Sequence, residues 1–336
     1  MSVTMKEVAE RAEVSISTVS NVLNGYAHIR PKTRARVEAA IEELGYRVNM
    51  PARQLRIGRT GVIGLALPEL SLAYWGEFAD SVMRAAQSRE IGVLIEVTDA
   101  CRKRVLEVLD SPYRRITDGL LVVPNGLEPH ETDLLDVPYP LVVLGERIFG
   151  APADHVTMAN TEGARAAVAH LASRGCRRIA TLGAREGEVM GSATLRLRGY
   201  HEALADAGLP EDPDLVVTAN PWTRATGAAA VRELLARGID VDAIFAMNDA
   251  MALGALHELH RQGVEVPNEV AVIGFDDIGD AEYYEPALSS IAPGRDEIAE
   301  RAVDMLLARI AGETAEPRLV LADYQVMERQ STAVRR

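Results

Sequence analysis

The sequence is poor in cysteine: among its 336 residues only Cys101 and Cys176 occur, and neither belongs to a CxxC pair. Two isolated cysteines argue against a disulfide framework or a cysteine-based zinc site, and they suit the reducing conditions of a cytosol. The seven histidines do not cluster at ligand spacing, so we expect no metal site and no cofactor.

Long apolar runs are also missing. A membrane-spanning helix needs about 18 or more consecutive apolar residues, and the chain has no such run. The opening residues, MSVTMKEVAE, contain no apolar signal core. We therefore expect a cytoplasmic protein without a membrane partner.

Several enzyme fingerprints are absent as well. There is no GxGxxG after a strand, no GxxxxGK[ST], no GxSxG and no HExxH. The sequence therefore favours a protein that is not an enzyme. An α/β enzyme remains an alternative, which activity retained after deletion of residues 1–60 would support.

Acidic charge dominates the chain as a whole, whose formal net charge is −13. The first 60 residues are the exception, since they hold ten Lys and Arg but only six Asp and Glu. A basic segment on an acidic remainder is expected where only that segment meets a polyanion such as nucleic acid.

Three short helical patterns fill the first 45 residues. Thr4 and Glu7 have the spacing of a capping box at the start of the first helix. Ser15 can cap a second helix over residues 16–23, and Pro31 and Gly45 mark the start and end of a third. Two small helices joined by a three-residue turn predict a helix-turn-helix domain.

In such a domain the second helix enters the major groove of DNA by its amino-terminal end. Ile16 suits contact with a thymine methyl group, Asn21 a bidentate contact with adenine, and Ser17 several bases. A three-helix domain that binds another protein is the alternative. The other candidate DNA-binding residues in and after this domain are Thr4, Ser15, Thr18, Asn24, His28, Lys32 and Asn49.

Beyond residue 61, short β-rich apolar runs alternate with amphipathic helical stretches. Near-continuous apolar strands between helices predict parallel sheets covered on both faces. This pattern suits two doubly wound α/β subdomains that bind a ligand at the carboxyl ends of their strands. The predicted strands are residues 62–68, 93–99, 119–124, 140–145, 178–184, 215–219, 243–249 and 270–277, and the predicted helices are residues 76–90, 161–174, 195–207, 224–237, 249–262 and 295–311.

Polar and aromatic residues follow several of these strands. Because parallel strands end at one edge of a sheet, we expect their side chains to open onto one cleft. Arginine, carboxylate and amide groups can bind neighbouring sugar hydroxyls, and an aromatic ring can stack on a sugar ring. The candidate effector-binding residues are Tyr74, Trp75, Arg147, Ser192, Arg196, Trp222, Asn248 and Asp276.

Some of these candidates have an equally plain structural interpretation. An Asn-Asp pair before an apolar helix is a capping pattern, so Asn248-Asp249 could cap that helix, with Asp249 as the cap. Tyr74 and Trp75 could be core residues. Of the two neighbouring aspartates after the last strand, Asp277 suits a structural role better than Asp276.

The motifs in their order resemble one known family. VTMKEVAERAEVSISTVSNVLNG, followed by KTRARVEAAIEELGYRVN, resembles the DNA-binding head of the lactose and galactose repressor family. VIGLALP, TDGLLVVP, SATLRLRGY, AMNDAMALGAL and VIGFDD resemble that family's landmarks, in order, over the rest of the chain. The resemblance implies a homodimeric repressor that binds a pseudo-palindromic operator and is switched by a small-molecule effector.

The resemblance also implies a domain organisation. A helix-turn-helix head spans residues 1–48 and a hinge spans 49–60. Two subdomains of periplasmic-binding-protein-like architecture follow, the first over residues 61–158 and 293–318, the second over residues 159–292 and 319–332.

Residue roles in the head and hinge follow from the same resemblance. Ile16, Ser17 and Asn21 match the positions that select operator bases. Leu55 matches a leucine that wedges into the minor groove and bends the duplex, with Ala52 beside it. Effector binding is then expected to move the first subdomains and to order or unfold the hinges.

In the body, four candidates match effector contacts of the family, namely Arg196, Trp222, Asn248 and Asp276, and Ser192 matches a further pocket residue. Gly145 and Ala159 stand where many members have Asp, and Pro293 where some sugar-responding members have Gln. Because of these departures, the resemblance does not identify a specific effector.

A sugar that relieves repression is the first expectation, and a purine or sugar-phosphate effector is the alternative. A transport-type sugar-binding protein would share the body but lack the head. Glu13 departs from the family in the head, because it occupies the turn where Gly is usual. A left-handed residue there costs Glu about 1 kcal/mol relative to Gly.

Overall fold

The computed structural model describes residues 3–23, 26, 28–46 and 59–333. The chain divides into two compact units, Met1–Thr60 and Gly61–Arg336, which we call the head and the body. The predicted hinge falls largely outside the described residues, so the interpretation of residues 49–58 stays a prediction.

The head contains the three predicted helices, α1 (Met5–Arg11), α2 (Ile16–Leu23) and α3 (Pro31–Leu44). The capping box is present: Glu7 N donates to Thr4 Oγ1 at 3.3 Å and Thr4 N donates to Glu7 Oε2 at 2.6 Å. These helices meet in a small core, which includes the fully buried Val8, Val19 and Val37.

The turn between α1 and α2 takes the conformation that a glycine would favour. Glu13 has φ 51° and is therefore left-handed. Its carbonyl accepts a hydrogen bond from Arg36 Nη2 at 3.3 Å, which ties the turn to α3. The departure from the family's Gly thus leaves the turn in place at the strain cost expected for Glu.

The body holds two six-stranded sheets. The first has the order β11-β5-β4-β3-β1-β2 and is parallel throughout. Its strands are β1 (Val62–Leu67), β2 (Gly92–Val97), β3 (Leu120–Val122), β4 (Leu141–Leu144), β5 (Asp154–Met158) and β11 (Leu319–Ala322).

The second sheet has the order β12-β10-β9-β8-β6-β7. It is parallel except at one edge, where β12 runs antiparallel to β10. Its strands are β6 (Ile179–Ala184), β7 (Val216–Thr218), β8 (Ala243–Ala246), β9 (Ala271–Phe275), β10 (Ser289–Ala292) and β12 (Gln325–Met327).

Helices cover the faces of these sheets, as the alternating pattern predicted. The described α-helices of the body are α4 (Ala73–Gln87), α5 (Arg102–Leu109), α6 (Asn160–Ser173), α7 (Ser192–Asp206), α8 (Arg224–Ala236), α9 (Asp249–Arg261), α10 (Asp280–Tyr283) and α11 (Arg295–Ile310). Short 3-10 helices lie at Pro112–Arg115, Thr132–Leu135, Pro213–Leu215 and Gln330–Thr332.

The central strand β3 of the first sheet is apolar throughout because both of its faces are covered. Leu121 packs into the larger core, whereas the flanking Leu120 and Val122 pack into a second cluster on the opposite face. Because successive side chains of a strand point to opposite faces, both faces of this sheet must be covered.

The chain passes between the sheets three times. It crosses through α6, returns through α11, and crosses again between β11 and β12. The predicted subdomain division placed the last crossing at residue 318, but β11 pairs with β5 and so lies in the first sheet. The division into subdomains stays a prediction. It differs from the observed strand pairing at β11, which the division assigns to the second subdomain.

Two helix pairs of the second sheet pack through glycines. A Cβ on Gly254 of α9 would lie 2.0 Å from the carbonyl oxygen of Arg224 in α8, and one on Gly199 of α7 would lie 2.2 Å from that of Thr161 in α6. By contrast, a Cβ on Gly76 of α4 would meet nothing nearer than 3.8 Å.

These environments predict opposite effects of alanine. Gly254→Ala should lower the free energy of unfolding by about 1–3 kcal/mol, because α8 and α9 must separate. Gly76→Ala should leave it unchanged or raise it by up to about 1 kcal/mol, because alanine favours helix. Urea unfolding followed by circular dichroism measures both, and a Gly254→Ala protein as stable as Gly76→Ala would contradict the packing.

Candidate functional site

A cavity of about 610 Å³ lies within the body and is lined by residues that follow β1, β3, β4, β6, β8 and β9. We call it the cleft. It is the place where doubly wound sheets bind ligands, at the carboxyl ends of their strands. All eight candidate effector-binding residues line it: Tyr74, Trp75, Arg147, Ser192, Arg196, Trp222, Asn248 and Asp276.

One wall of the cleft is aromatic. Tyr74, Trp75 and Phe78 form a cluster on α4, with ring centroids 5.0–6.3 Å apart. Tyr74 and Trp75 are half-buried and therefore pack on the core and face the cleft at once. Burial, assisted by the nearby Asp276 and Glu146 carboxylates, raises the pKa of Tyr74, so its hydroxyl keeps a proton to donate.

Arg196 is a buried polar residue of the cleft lining. Its Nε donates to Asn160 Oδ1 at 2.8 Å, its Nη1 donates to the carbonyl of Met247, and its guanidinium stacks 3.6 Å from the centre of the Phe275 ring. The side chain is only 3% exposed. A buried guanidinium held by this many partners is fixed in position rather than free to reach outward.

Asp276 faces Arg196 from the loop after β9. Its Oδ1 lies 3.7 Å from Arg196 Nη2, an ion pair without a close hydrogen bond. Burial raises the pKa of Asp276 to about 7, against the lowering effect of Arg196 and Arg295. Its backbone has φ 117°, a left-handed value that is costly for a residue with a side chain.

The cap of α9 is Asn248, and the prediction that Asp249 is the cap was wrong. Asn248 Oδ1 accepts from Met251 N at 2.9 Å, as an N-cap side chain does. Asp249, already inside the helix, accepts instead from Ser290 Oγ at 2.6 Å and from Ile278 N at 3.0 Å. Asn248 therefore both caps the helix and lines the cleft.

The two sheets are bridged at the cleft. Arg147, after β4, donates to the carbonyl of Met190 at 2.8 Å, and Ser192 at the start of α7 donates to Glu146. Arg147 also donates to the carbonyl of Leu127 at 2.8 Å. These contacts join loops of the first sheet to the loop after β6.

Trp222, in the loop after β7, is largely buried and lines the cleft. Its Nε1 donates to the carbonyl of Gly183 at 2.8 Å, and the guanidinium of Arg185 lies 4.6 Å from its ring centre. Both tryptophans of the chain line the cleft, so we expect their fluorescence to change when a ligand binds there.

The cleft includes residues that the sequence analysis did not select. Phe78 had the helical spacing to Tyr74 and Trp75 that would have revealed it, and Asn125 and Glu128 follow a predicted strand. Pro293 is not among the cleft-lining residues of the described chain. Asp277 lies outside the cleft lining and pairs with Arg329 at 2.8 Å, in agreement with a structural role.

In the head, the start of α2 is exposed. Ile16 is 50% exposed although it is apolar, Ser17 is exposed, and Asn21 is half-buried. Ser15 Oγ accepts from Thr18 N at 3.1 Å, which confirms it as the helix cap.

Of the remaining candidate DNA-binding residues, some lie within the described residues and some lie outside them. Thr4, His28 and Lys32 are exposed, and Thr18 is half-buried. Four candidates lie outside the described residues, namely Asn24, Asn49, Ala52 and Leu55. Within the described ranges no helix could cross a membrane, and no three His, Cys, Asp or Glu residues could hold a metal ion.

The raised pKa of Asp276 predicts a pH dependence of stability. The carboxyl ionises near pH 3.8 when the chain is unfolded and near pH 7 when it is folded. Between these values the folded state holds the extra proton, so stability is lost as pH rises, by up to about 1.4 kcal/mol per pH unit. Asp276→Asn should remove this part of the slope between pH 4.5 and 7 in urea unfolding, and identical slopes for both proteins would contradict the assignment.

Comparison with known proteins identifies the chain. Residues 4–49 match the model of bacterial regulatory proteins of the lacI family, and residues 168–332 match a periplasmic binding protein-like domain. The HTH-type transcriptional regulator CelR of Thermobifida fusca is 36% identical, and the alignment covers 98% of each chain.

Two solved structures are similar over nearly the full length. A CelR–cellobiose complex is 33% identical, covers 98% of this chain and 99% of its own, and has a TM-score of 0.72. A lac repressor dimer bound to operator and the anti-inducer ONPF is 28% identical, covers 99% of each chain, and has a TM-score of 0.80. The chain is therefore a member of the lacI family, a DNA-binding transcription regulator with a helix-turn-helix head and a periplasmic-binding-protein-like body.

Proposed function

We propose that this regulator is a homodimeric repressor whose two heads bind inverted half-sites and whose cleft binds a sugar that controls DNA affinity. The observation that carries the DNA-binding part is the exposed apolar Ile16 beside Ser17, at the start of a helix within the matched lacI segment. An exposed β-branched side chain there has no role in the head's own core.

The DNA contacts are assigned by chemistry and position. Ile16 contacts a thymine methyl group, Ser17 and Asn21 contact base edges, and the base reading is completed by the two-fold symmetry of the dimer. Short polar and basic side chains around α2 and α3 bind phosphates, which orients the helix in the groove. These are Thr4, Ser15, Thr18, Asn24, His28 and Lys32; Asn49, Ala52 and Leu55 act at the hinge.

The effector part is supported by the composition of the cleft. An aromatic wall on α4 faces a floor of guanidinium, amide and carboxylate groups, which is the combination that binds a ring with several hydroxyls. The related CelR was solved with cellobiose. The sugar shifts DNA affinity only as far as it binds one conformation of the body better than the other.

The proposal predicts the outcome of a binding-site selection. The full-length protein, incubated with a random double-stranded DNA library, should enrich a sequence with two inverted half-sites. Analytical ultracentrifugation should give a mass twice that of the 36.4 kDa chain. If no sequence is enriched, or if a monomer enriches a single asymmetric site, the hypothesis that a dimer binds two inverted half-sites would be contradicted.

Asn21→Ala tests the base-reading helix. Loss of a bidentate contact should weaken binding to the selected sequence by about 1–3 kcal/mol and leave binding to random DNA unchanged. Ala39→Ser, an uncharged change at an exposed position of α3, is the control and should affect neither. Mobility-shift titrations measure both DNAs, and an Asn21→Ala protein with wild-type selectivity would remove Asn21 from the contact set.

A further inference from the structure

We infer that the effector is an uncharged sugar of at least two linked rings, because the cleft is large and acidic and because each of its arginines is already paired with a carboxylate. This inference rests on the proposed sugar-binding function of the cleft. Among sugars, the cleft is expected to bind neutral oligosaccharides in preference to sugar phosphates, sugar acids and single rings.

The first guanidinium of the cleft has a protein partner at each of its three nitrogens. Arg147 Nε donates to the carbonyl of Leu127 and Nη1 to the carbonyl of Met190, both at 2.8 Å. Its Nη2 lies 3.0 Å from the carboxylate of Glu128. A phosphate would have to break these contacts and approach the Glu128 carboxylate to reach Arg147.

The second guanidinium is equally committed. Arg196 is bonded by Asn160 and by the carbonyl of Met247, and it is paired with Asp276. It is also 3% exposed. The third, Arg185, lies over the Trp222 ring and 3.3 Å from Glu188, whose other carboxylate oxygen accepts from Thr194 N at 3.1 Å. Each cleft arginine thus has its own carboxylate.

The charge balance of the lining disfavours an anion further. Even without Asp276, whose pKa is raised by burial to about 7, four acidic side chains line the cleft against three arginines, and no lysine or histidine is among the lining residues of the described chain. An added anion would be repelled by the unbalanced carboxylates in a partly water-excluded space, where charges interact more strongly than in water. The acidic residues are Glu69, Glu128, Glu146, Glu188 and Asp276.

The same carboxylates suit sugar hydroxyls, because each ionised oxygen accepts hydrogen bonds. Thr157 offers a further contact: it is 3% exposed, lines the cleft, and its hydroxyl has no hydrogen-bond partner among the described residues. A buried hydroxyl without a partner is costly, and a ligand hydroxyl would satisfy it.

Size points to more than one ring. The cleft volume of about 610 Å³ falls in the middle of the range of about 300–1,000 Å³ that drug-sized ligands occupy. Since one water takes about 30 Å³ in the liquid, the cleft has room for about twenty waters. A single sugar ring would leave much of this volume to water, whereas two linked rings would fill more of it.

Tryptophan fluorescence and calorimetric titration of the full-length protein test the inference. The probes are cellobiose, lactose, maltose, sucrose and xylobiose, compared with glucose, glucose 6-phosphate, gluconate and guanine. At least one neutral disaccharide should bind about tenfold or more tightly than every other class of probe. Tighter binding of glucose, of either charged compound or of guanine, or silence of all the disaccharides, would overturn the inference.

A charge variant separates electrostatics from shape. Glu128→Gln removes one cleft carboxylate at constant size, so it should raise the affinity for glucose 6-phosphate relative to the best disaccharide by about threefold or more. Glu107→Gln removes the same charge from the surface of α5 and should leave this ratio unchanged. An unchanged ratio in Glu128→Gln would show that charge does not select the ligand.

Mobility shifts with the selected operator, made on the same preparations, keep the two claims apart. If the protein binds operator but its cleft takes only charged or single-ring probes, the inference fails and the proposed function stands. If operator binding itself is absent, the proposed function fails whatever the cleft accepts.

Discussion

The buried carboxylate of Asp249 is the constraint on which the ligand site depends. It joins Ser290 on β10 to the backbone of Ile278, and Ser290 Oγ in turn accepts from Asp277 N at 3.1 Å. Burial, followed by the nearby Asp276 carboxylate, raises the pKa of Asp249 well above its usual range. Such a group is tolerated inside a protein only because it is hydrogen-bonded on both oxygens.

This network holds the loop after β9 in a strained shape. Asp276 and Asp277 are both left-handed, which costs of order 1–3 kcal/mol for each such residue and persists only where neighbours enforce it. The strain places the Asp276 side chain opposite Arg196 and turns Asp277 away toward Arg329. The position of Asp276 in the cleft therefore depends on Asp249, which lies outside the cleft lining and fixes the backbone of the loop after β9.

Much of this arrangement could be predicted from the sequence because it follows from local rules. All eight predicted strands are present within a few residues of their predicted bounds, since each is an apolar run between turn signals. The effector candidates were found at strand ends for the same reason. The helix-turn-helix head followed from capping residues and spacing, and the family model confirms it.

The rest depended on tertiary contacts that no local pattern encodes. Strand β5, Asp154–Met158, contains Asp, His and Thr, and its buried Asp154 is matched by Arg309 and Arg318 from distant parts of the chain. Strands β10 to β12 are short and polar or exposed. The sequence also could not show that Asn248 caps α9 in place of Asp249. Asp249 instead binds Ser290 and Ile278, which lie far from it in the sequence.

The proposed function requires that one small molecule in the cleft controls the affinity of the head for DNA. Its most direct test is the operator affinity, by fluorescence anisotropy, with and without a saturating concentration of the disaccharide that binds the cleft. We expect the sugar to change the operator Kd by about fivefold or more, which is in the range of known allosteric couplings. A sugar that saturates the cleft and leaves the operator Kd unchanged would contradict it.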